Sequence, residues 1–446
     1  VGAPAAVGAG GGEGGRSACR PRHGRRGNRR SACGPAMSVT PKPGLTVLLA
    51  GLAMFGPFAI DTMFPAFPAI AAEFGANDFA MQQTLSIYLV ALAVMSLVHG
   101  PLSDALGRRP VVIGGVAVFT LASIGCALTW SIDSLWFFRA LQGTCAGAGW
   151  IVARAIMRDL YQGPVVQRLM SNVSMLFTIA PALAPMIGGW VLLAGNWRWI
   201  FWFLALWGGL LLAASIWRLP ESHPPERRLP LRVSALVGGY LDMLRHRQFW
   251  PLAIAGTMNF SAMFLYISSA PAFVVGLLKL GPQQFGWLFV PAVMGMFVGS
   301  LLSSRLAGRI SVTSTISLGY GVMLVASLLN VTTALVLPHP RIPWSVLPIG
   351  LHAIGISLSF PSLTVLLLDR FPLHRGGASS LQAFVSLVFN AVLAGVVVVF
   401  VSGSALHLAL GAATLTVVGF VAWRVFRYQT KQELLRDAGA AAAPAD

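Results

Sequence analysis

Twelve stretches of this chain run for about twenty or more residues almost without charge, and that pattern decides what it can fold into. They lie near 45–71, 81–103, 110–129, 134–156, 167–193, 198–218, 250–275, 284–304, 312–337, 343–368, 377–401 and 404–426. A helix needs ~20 apolar residues to cross a bilayer, so each stretch is long enough for one span. Only 10% of the 446 residues are charged and mean hydropathy is +0.74. A soluble domain carries about 25% charged residues. The expectation is an all-α polytopic membrane protein with 12 transmembrane helices; soluble enzymes, repeat scaffolds and disordered regulators are excluded. Strand-type alternation with short turns is missing, which argues against a membrane β-barrel.

One long polar stretch, residues 219–249, divides the spans into two sets of six, 45–218 and 250–426, with a tail over 427–446. It reads as a loop carrying a short amphipathic helix. Ser103-Asp104-Ala105-Leu106-Gly107-Arg108 after the second span is echoed by Ser304-Arg305-Leu306-Ala307-Gly308-Arg309 after the eighth. Paired six-helix halves are the mark of transporters that rock around a central site. Residues 1–36 are rich in Gly, Ala and Arg and have no apolar period, so they cannot bury a core. A basic arm, a targeting segment and an artefactual extension before a start at Met37 compete for them; the last is our expectation. Cys19, Cys33, Cys126 and Cys145 form no metal-ligand or CxxC spacing, so no metal site is expected.

Orientation follows from the basic residues. With the chain starting in the cytoplasm, the inside segments carry nineteen Lys and Arg, from Lys42 and Arg108 through Arg232 in the central loop to Arg436. The outside segments carry three, Arg198, Lys279 and Arg341. This bias places both termini and the central loop inside a cell's cytoplasmic membrane.

Charges within spans are the informative ones, since each costs about 2.5–3.5 kcal/mol at mid-helix. Three stand out: Asp61, Arg139 and Arg154. Asp61 and Arg139 fall at similar depth in the outer half, where a carboxyl group beside a guanidinium can bind a proton in one state and release it in another. A fixed structural ion pair is the alternative. Arg154 lies near the inner end, placed to pair with Asp104 or to snorkel to the interface.

The turn Gly100-Pro101-Leu102-Ser103-Asp104-Ala105-Leu106-Gly107-Arg108-Arg109 resembles the loop motif of the major facilitator superfamily, G-x-L-x-D-x-x-G-R-R/K. Arg139-Ala140-Leu141-Gln142-Gly143 is similar to that family's R-x-x-Q-G motif. Pro181-Ala182-Leu183-Ala184-Pro185-Met186-Ile187-Gly188-Gly189 is similar to the antiporter motif of its drug/proton exchangers, with Ala184 where Gly is usual. More narrowly, Asp61-Thr62-Met63-Phe64-Pro65-Ala66-Phe67-Pro68 and Ala153-Arg154-Ala155-Ile156-Met157-Arg158-Asp159-Leu160 resemble the Bcr/CflA branch of multidrug exporters, although Phe64 replaces the usual Tyr. The resemblance implies the two-half facilitator fold and a cytoplasmic gating loop at Gly100, Asp104, Gly107, Arg108 and Arg109. It also implies proton coupling through Asp61 and Arg139, and a monomer. Bicyclomycin, chloramphenicol-type and sulfonamide drugs are exported in that branch, and some members export small metabolites instead.

Candidates for the central cavity are polar or aromatic residues on apolar helices: Tyr88, Gln142, Asn172, Asn259, Tyr266, Gln382 and Asn390. Each serves equally as an interhelical hydrogen bond. His352 titrates near neutral pH when solvated but is expected to be packed. Trp130, Trp136, Trp197 and Trp199 read as interface anchors. No P-loop, HExxH, GxSxG or paired catalytic carboxylates occur, so the reading is not an enzyme. The expected partners are small molecules, protons and the bilayer, without nucleic acid; no cofactor is expected beyond a proton gradient as energy source.

Overall fold

Long runs of Leu, Val, Ala, Ile and Phe satisfy every backbone polar group within one helix, the condition an apolar solvent imposes. The computed structural model describes residues 43–228, 233–337 and 339–441. Residues 1–36, Met37, Lys42, Arg232 and the last part of the tail lie outside the described residues.

Helix α1 comprises Pro43–Asp61, a 3-10 turn at Phe64–Ala66 and Phe67–Phe74. It is followed by α2 (Asp78–Leu106) and α3 (Arg108–Ala127). Helix α4 runs from Ile132–Gly147 through a π-helical turn, Ala148–Val152, to Ala153–Leu160. The first half closes with α5 (Gly163–Ala194) and α6 (Arg198–Arg218). The polar stretch between the halves contains the amphipathic α7 (Val233–Arg245). The second half comprises α8 (Phe249–Ser268), α9 (Gly286–Leu306), α10 (Val312–Val336), α11 (Leu347–Arg370), α12 (Arg375–Val392, continued by a π turn to Val401) and α13 (Ala405–Ala441). Among the described residues, 11 helices are long and apolar enough to cross a membrane. The twelfth expected span is α4, whose α-helical run is interrupted by the π turn and whose sequence carries Arg139, Arg154 and Arg158.

Helix ends obey local chemistry. The Asn77 side chain accepts from the Ala80 N–H at 2.8 Å, and Ser131 and Ser311 cap α4 and α10 in the same way. Between α2 and α3 a single residue turns the chain: Gly107, at φ 102°, where a Cβ would be strained. Gly308 stands at φ 78° in the echo loop, so both copies of the motif need glycine for the same reason. Of the expected interface anchors, Trp130 and Trp199 are exposed, whereas Trp197 is only 2% exposed and its indole donates to Glu73 at 2.6 Å. Its role is packing, because the neighbouring carboxylate satisfies the N–H that would otherwise seek the interface.

The packing repeats. In the first half α2 lies on α4, α1 on α5, and α3 on α6; in the second, α9 lies on α11, α8 on α12, and α10 on α13. These are the same pairs under the substitution of each helix by its counterpart six spans later. The halves touch through α2 with α12 and α5 with α9, which are again exchanged by that substitution. The fold is an all-α membrane bundle of two pseudo-symmetric halves. One end carries Arg108, Arg109, Arg218, Arg245, Arg305, Arg309, Arg370 and Arg375 and is called the basic end below.

Candidate functional site

Three prolines break α1 around one acid. Pro57 lies within the helix, and Pro65 and Pro68 follow, so the carbonyls of Asp61 and Phe64 meet no N–H four residues on. Asp61 therefore ends an α-helical run and the chain passes through Thr62 and Met63 as a turn. Thr62 steadies it: its Oγ1 donates to the Phe58 carbonyl at 2.6 Å. The antiporter-type segment of α5 packs on this break. A Cβ on Gly188 would stand 2.0 Å from the Thr62 carbonyl oxygen, so only glycine fits there. Pro185 and Pro181 lie inside α5 about one and two turns before it.

Arg139 of α4 comes alongside. Its side chain is fully buried, and Nη1 donates to the Ala59 carbonyl at 2.9 Å and to Gln142 Oε1 at 2.8 Å. Nε donates to the Thr84 carbonyl at 3.3 Å, and the guanidinium lies 4.4 Å from the Tyr88 ring centroid. Gln142 in turn donates to Ser123 at 2.7 Å. Nη2 has no hydrogen-bond partner. Asp61, two residues beyond Ala59, is 4% exposed and takes no donor and no ion pair among the described residues. A buried carboxyl group thus follows by two residues the carbonyl that a buried guanidinium holds, and Nη2 of that guanidinium is unused. Such a pair can exchange partners when the helices shift.

Tyr88 and Gln142 are gathered into this cluster, whereas the other cavity candidates are not. Asn172 is exposed on α5. In the second half Asn259 donates to Ser359 at 2.6 Å, Tyr266 accepts from Asn330 at 2.8 Å, and Asn390 accepts from Ser261 at 2.7 Å. Gln382 donates to the Ala253 carbonyl at 3.2 Å and sits near Thr257 and Ser386. His352 shares a 3.0 Å bond with Thr416 and is packed. Among the described residues no three His, Cys, Asp or Glu side chains come together as metal ligands would.

The hydrogen bonds between α2 and the second half lie toward the end opposite the basic one. Gln82 donates to the Ser268 carbonyl at 3.2 Å, Gln83 to Gly395 at 2.8 Å and Ser86 to Ala391 at 2.9 Å. Phe64 stacks on Phe289, and Gly189 lies so close to the Pro282 carbonyl that a Cβ would stand 2.3 Å away. Adjacent glycines of α5 therefore do different jobs: Gly188 receives the Asp61 break and Gly189 receives the other half. At the basic end α7 bridges the seam, with Tyr240 donating to the Leu97 carbonyl of α2 at 3.0 Å and Met243 against Gly377 of α12.

The loop after α2 is a closed charge network. Arg108 pairs with Asp104 at 2.6 Å and with Asp159 of α4 at 3.1 Å. Glu221 accepts from the Arg108 and Arg109 N–H groups at the start of α3 at 3.0 and 3.3 Å, a carboxylate at a helix N-terminus. Gly100 is free of close neighbours. Sequence reasoning missed Glu221 and Asp159 as members; a carboxylate just beyond each neighbouring span end is the signal that could have found them. It also missed Gln82, Gln83 and Ser86, which a polar i, i+1, i+4 set on an otherwise apolar helix would have marked. Arg154 does not pair with Asp104, which Arg108 takes; its guanidinium lies 3.5 Å from the Trp150 ring centroid.

Comparison with known proteins agrees with this architecture. The family model described as Major Facilitator Superfamily matches residues 48–394. The uncharacterized MFS-type transporter YdgK of Bacillus subtilis is 31% identical over 355 residues, 79% of this chain and 88% of the relative. The bicyclomycin resistance protein homolog of Haemophilus influenzae is 25% identical over 355 residues, 78% of this chain and 86% of the relative. A crystal structure of the peptide transporter POT matches with a TM-score of 0.69 at 15% identity, covering 87% of this chain and 94% of that one.

Proposed function

The chain belongs to the major facilitator superfamily, a family of membrane transporters rather than enzymes, and on that premise we propose that it is a proton-coupled antiporter exporting small drugs. The observation that carries the reading is the buried Arg139 holding the Ala59 carbonyl, two residues before the buried Asp61, with its Nη2 unpaired. In one state the Asp61 carboxyl carries the proton. In the other the proton leaves and the carboxylate pairs with Arg139 Nη2 across the α1 break. Because Gly188 holds that break against α5 and Gly189 holds α5 against the turn that leads into α9, a change at Asp61 is mechanically linked to the seam between the halves. That linkage supports alternating access: the seam is closed at one end, which the charge bias assigns to the outside, and the basic end faces the cytoplasm. The proton gradient is the energy source, and the protein works as a monomer in the cytoplasmic membrane with both termini inside. The substrate class follows the relative named for bicyclomycin resistance; chloramphenicol-type and sulfonamide drugs belong to the same proposal.

The second reading is transport of a single endogenous metabolite, favoured by Phe64 in place of the tyrosine usual in the exporters that this segment resembles. Inside-out vesicles with an acid interior and a pH-sensitive dye separate the two. Substrate-driven proton release by wild type, absent in Asp61→Asn, is the expected result. Equal release by both proteins overturns Asp61 as the coupling group, and silence toward all three drug classes supports the metabolite reading.

A further inference from the structure

We infer that Arg154 and Trp150 form a receiving site for an organic anion carried on a planar ring, near the basic end of α4. This deepens the transport reading above by naming a substrate class, an aromatic carboxylate or a similar flat anion.

Position comes first. The π-helical turn of α4 is surrounded by the helices of its own half. Gly149 packs on the Leu52 carbonyl of α1, where a Cβ would come within 2.5 Å, and Gly147 packs on His99 of α2. Ala148 packs on Gly115 of α3, and Trp150 stacks on Phe177 of α5 with ring centroids 4.5 Å apart. The turn is thus fixed against four helices of its own half. One turn further along α4, Arg154 is exposed, with Trp150 partly so.

Direction comes second. Arg154 stands six residues before the end of α4 at Leu160, about 9 Å by the helical rise. A snorkelling arginine would extend along those residues to the basic end. This one folds the other way, over the ring four residues earlier and deeper. The ring holds it there, since an aromatic face attracts a cation. Phe177, Trp150 and the guanidinium thus make a three-layer stack with its cationic end outward.

Charge comes third. No carboxylate pairs with Arg154 among the described residues; the acid on the same helix segment, Asp159, is bound by Arg108 and Ser222. Arg158, one turn along and also exposed, adds a like charge. One guanidinium face is covered by indole, and its outer face and N–H edge remain. That edge matches a carboxylate in a two-pronged bond, and the free face accepts a second flat ring. A cation is repelled by the pair, and a neutral ring gains the stacking alone.

The test uses purified full-length protein in nanodiscs of zwitterionic lipid, with radiolabelled para-nitrobenzoate and its uncharged isostere para-nitrobenzamide in equilibrium dialysis. Wild type is expected to bind the acid at least about tenfold more tightly than the amide, the worth of one charge-assisted pair. Arg154→Gln should erase that preference at an unchanged unfolding temperature, Arg154→Lys should keep part of it, and Trp150→Leu should weaken both probes. Equal binding of acid and amide by wild type, or an undiminished preference in Arg154→Gln, overturns the site. Loss of the preference on adding anionic lipid overturns it too, since the headgroups then own the position. Binding is read without any gradient. A protein that prefers the acid but exports neither probe keeps the site and counts against the export reading.

Discussion

Substituting Gly188 by alanine tests the central contact, because the structure fixes the size of the insult. The new Cβ would lie 2.0 Å from the Thr62 carbonyl oxygen, and ordinary contact begins at 3.4 Å, so the α1 break must retreat by the difference, 1.4 Å. It cannot yield at a flexible side-chain end, since the obstacle is backbone, held by the Thr62 hydroxyl and N–H on the Phe58 carbonyl. Overpacking of this kind costs about 1–3 kcal/mol. Gly209 of α6 is the control: nothing lies within 4 Å of its Cβ position, and alanine there gains about 1 kcal/mol of helix propensity. The two variants should therefore differ by roughly 2–4 kcal/mol. Heat-unfolding midpoints of the purified proteins should fall for Gly188→Ala and hold or rise for Gly209→Ala. Substrate-driven proton release by Gly188→Ala should drop by up to ~10²-fold, since a displacement near 1 Å is enough to misplace a reacting group. Matching midpoints for the two variants, with wild-type proton release, would refute the tight contact and with it the link between α5 and Asp61.

Arg139→Met should abolish proton release while lowering stability by only about 1–2 kcal/mol, because lost hydrogen bonds are offset by relief from burying an unpaired charge; vesicle assays and thermal melts check it. Gln83→Leu combined with Ser86→Ala removes two of the bonds between the halves, and thiol labelling of cysteines placed along α2 should then show the closed end opening more often. A double-mutant cycle of Arg108→Gln and Asp159→Asn should give a coupling of about 1 kcal/mol, since Asp159 is 24% exposed and solvent screens the pair. Tyr240→Phe deletes the bond from α7 to the Leu97 carbonyl and should change transport rate with a stability loss of about 1 kcal/mol or less.

Fold class was readable because bilayer thickness turns hydropathy into helix count, and only α4 departs from that arithmetic. Its interruption by a π turn has no period to betray it, although the glycines at 143, 147 and 149 mark where neighbouring helices come close. That Arg139 would meet α1 within two residues of Asp61 was legible from depth alone. Their lack of a mutual bond was not, since that depends on which carbonyls the guanidinium reaches in this state. The seven polar candidates divided by geometry: Tyr88 and Gln142 joined the arginine because they share its depth and the α2–α4 interface, while those of the second half found hydroxyl and carbonyl partners on adjacent helices. Composition gives no means of telling such partners from a substrate. The direction taken by Arg154 was likewise hidden, because it is decided by an aromatic ring one turn back and not by distance to water.

The placing of the seam has a mechanical consequence. Helix α2 has 29 residues, about 44 Å at 1.5 Å per residue, and its bond through Ser86 to α12 lies about 12 Å from the end opposite the basic one. Some 30 Å of rod therefore extends beyond that bearing. The counterpart bearing, α5 on α9, stands across the pseudo-axis. A tilt of about 10° on this pair, modest among domain rotations, would sweep the basic ends by roughly 5 Å while hardly disturbing the residues at the fulcrum. Polar bonds near the pivot and a long arm beyond them make a lever that turns a small displacement at the Asp61 break into a larger one at the basic end.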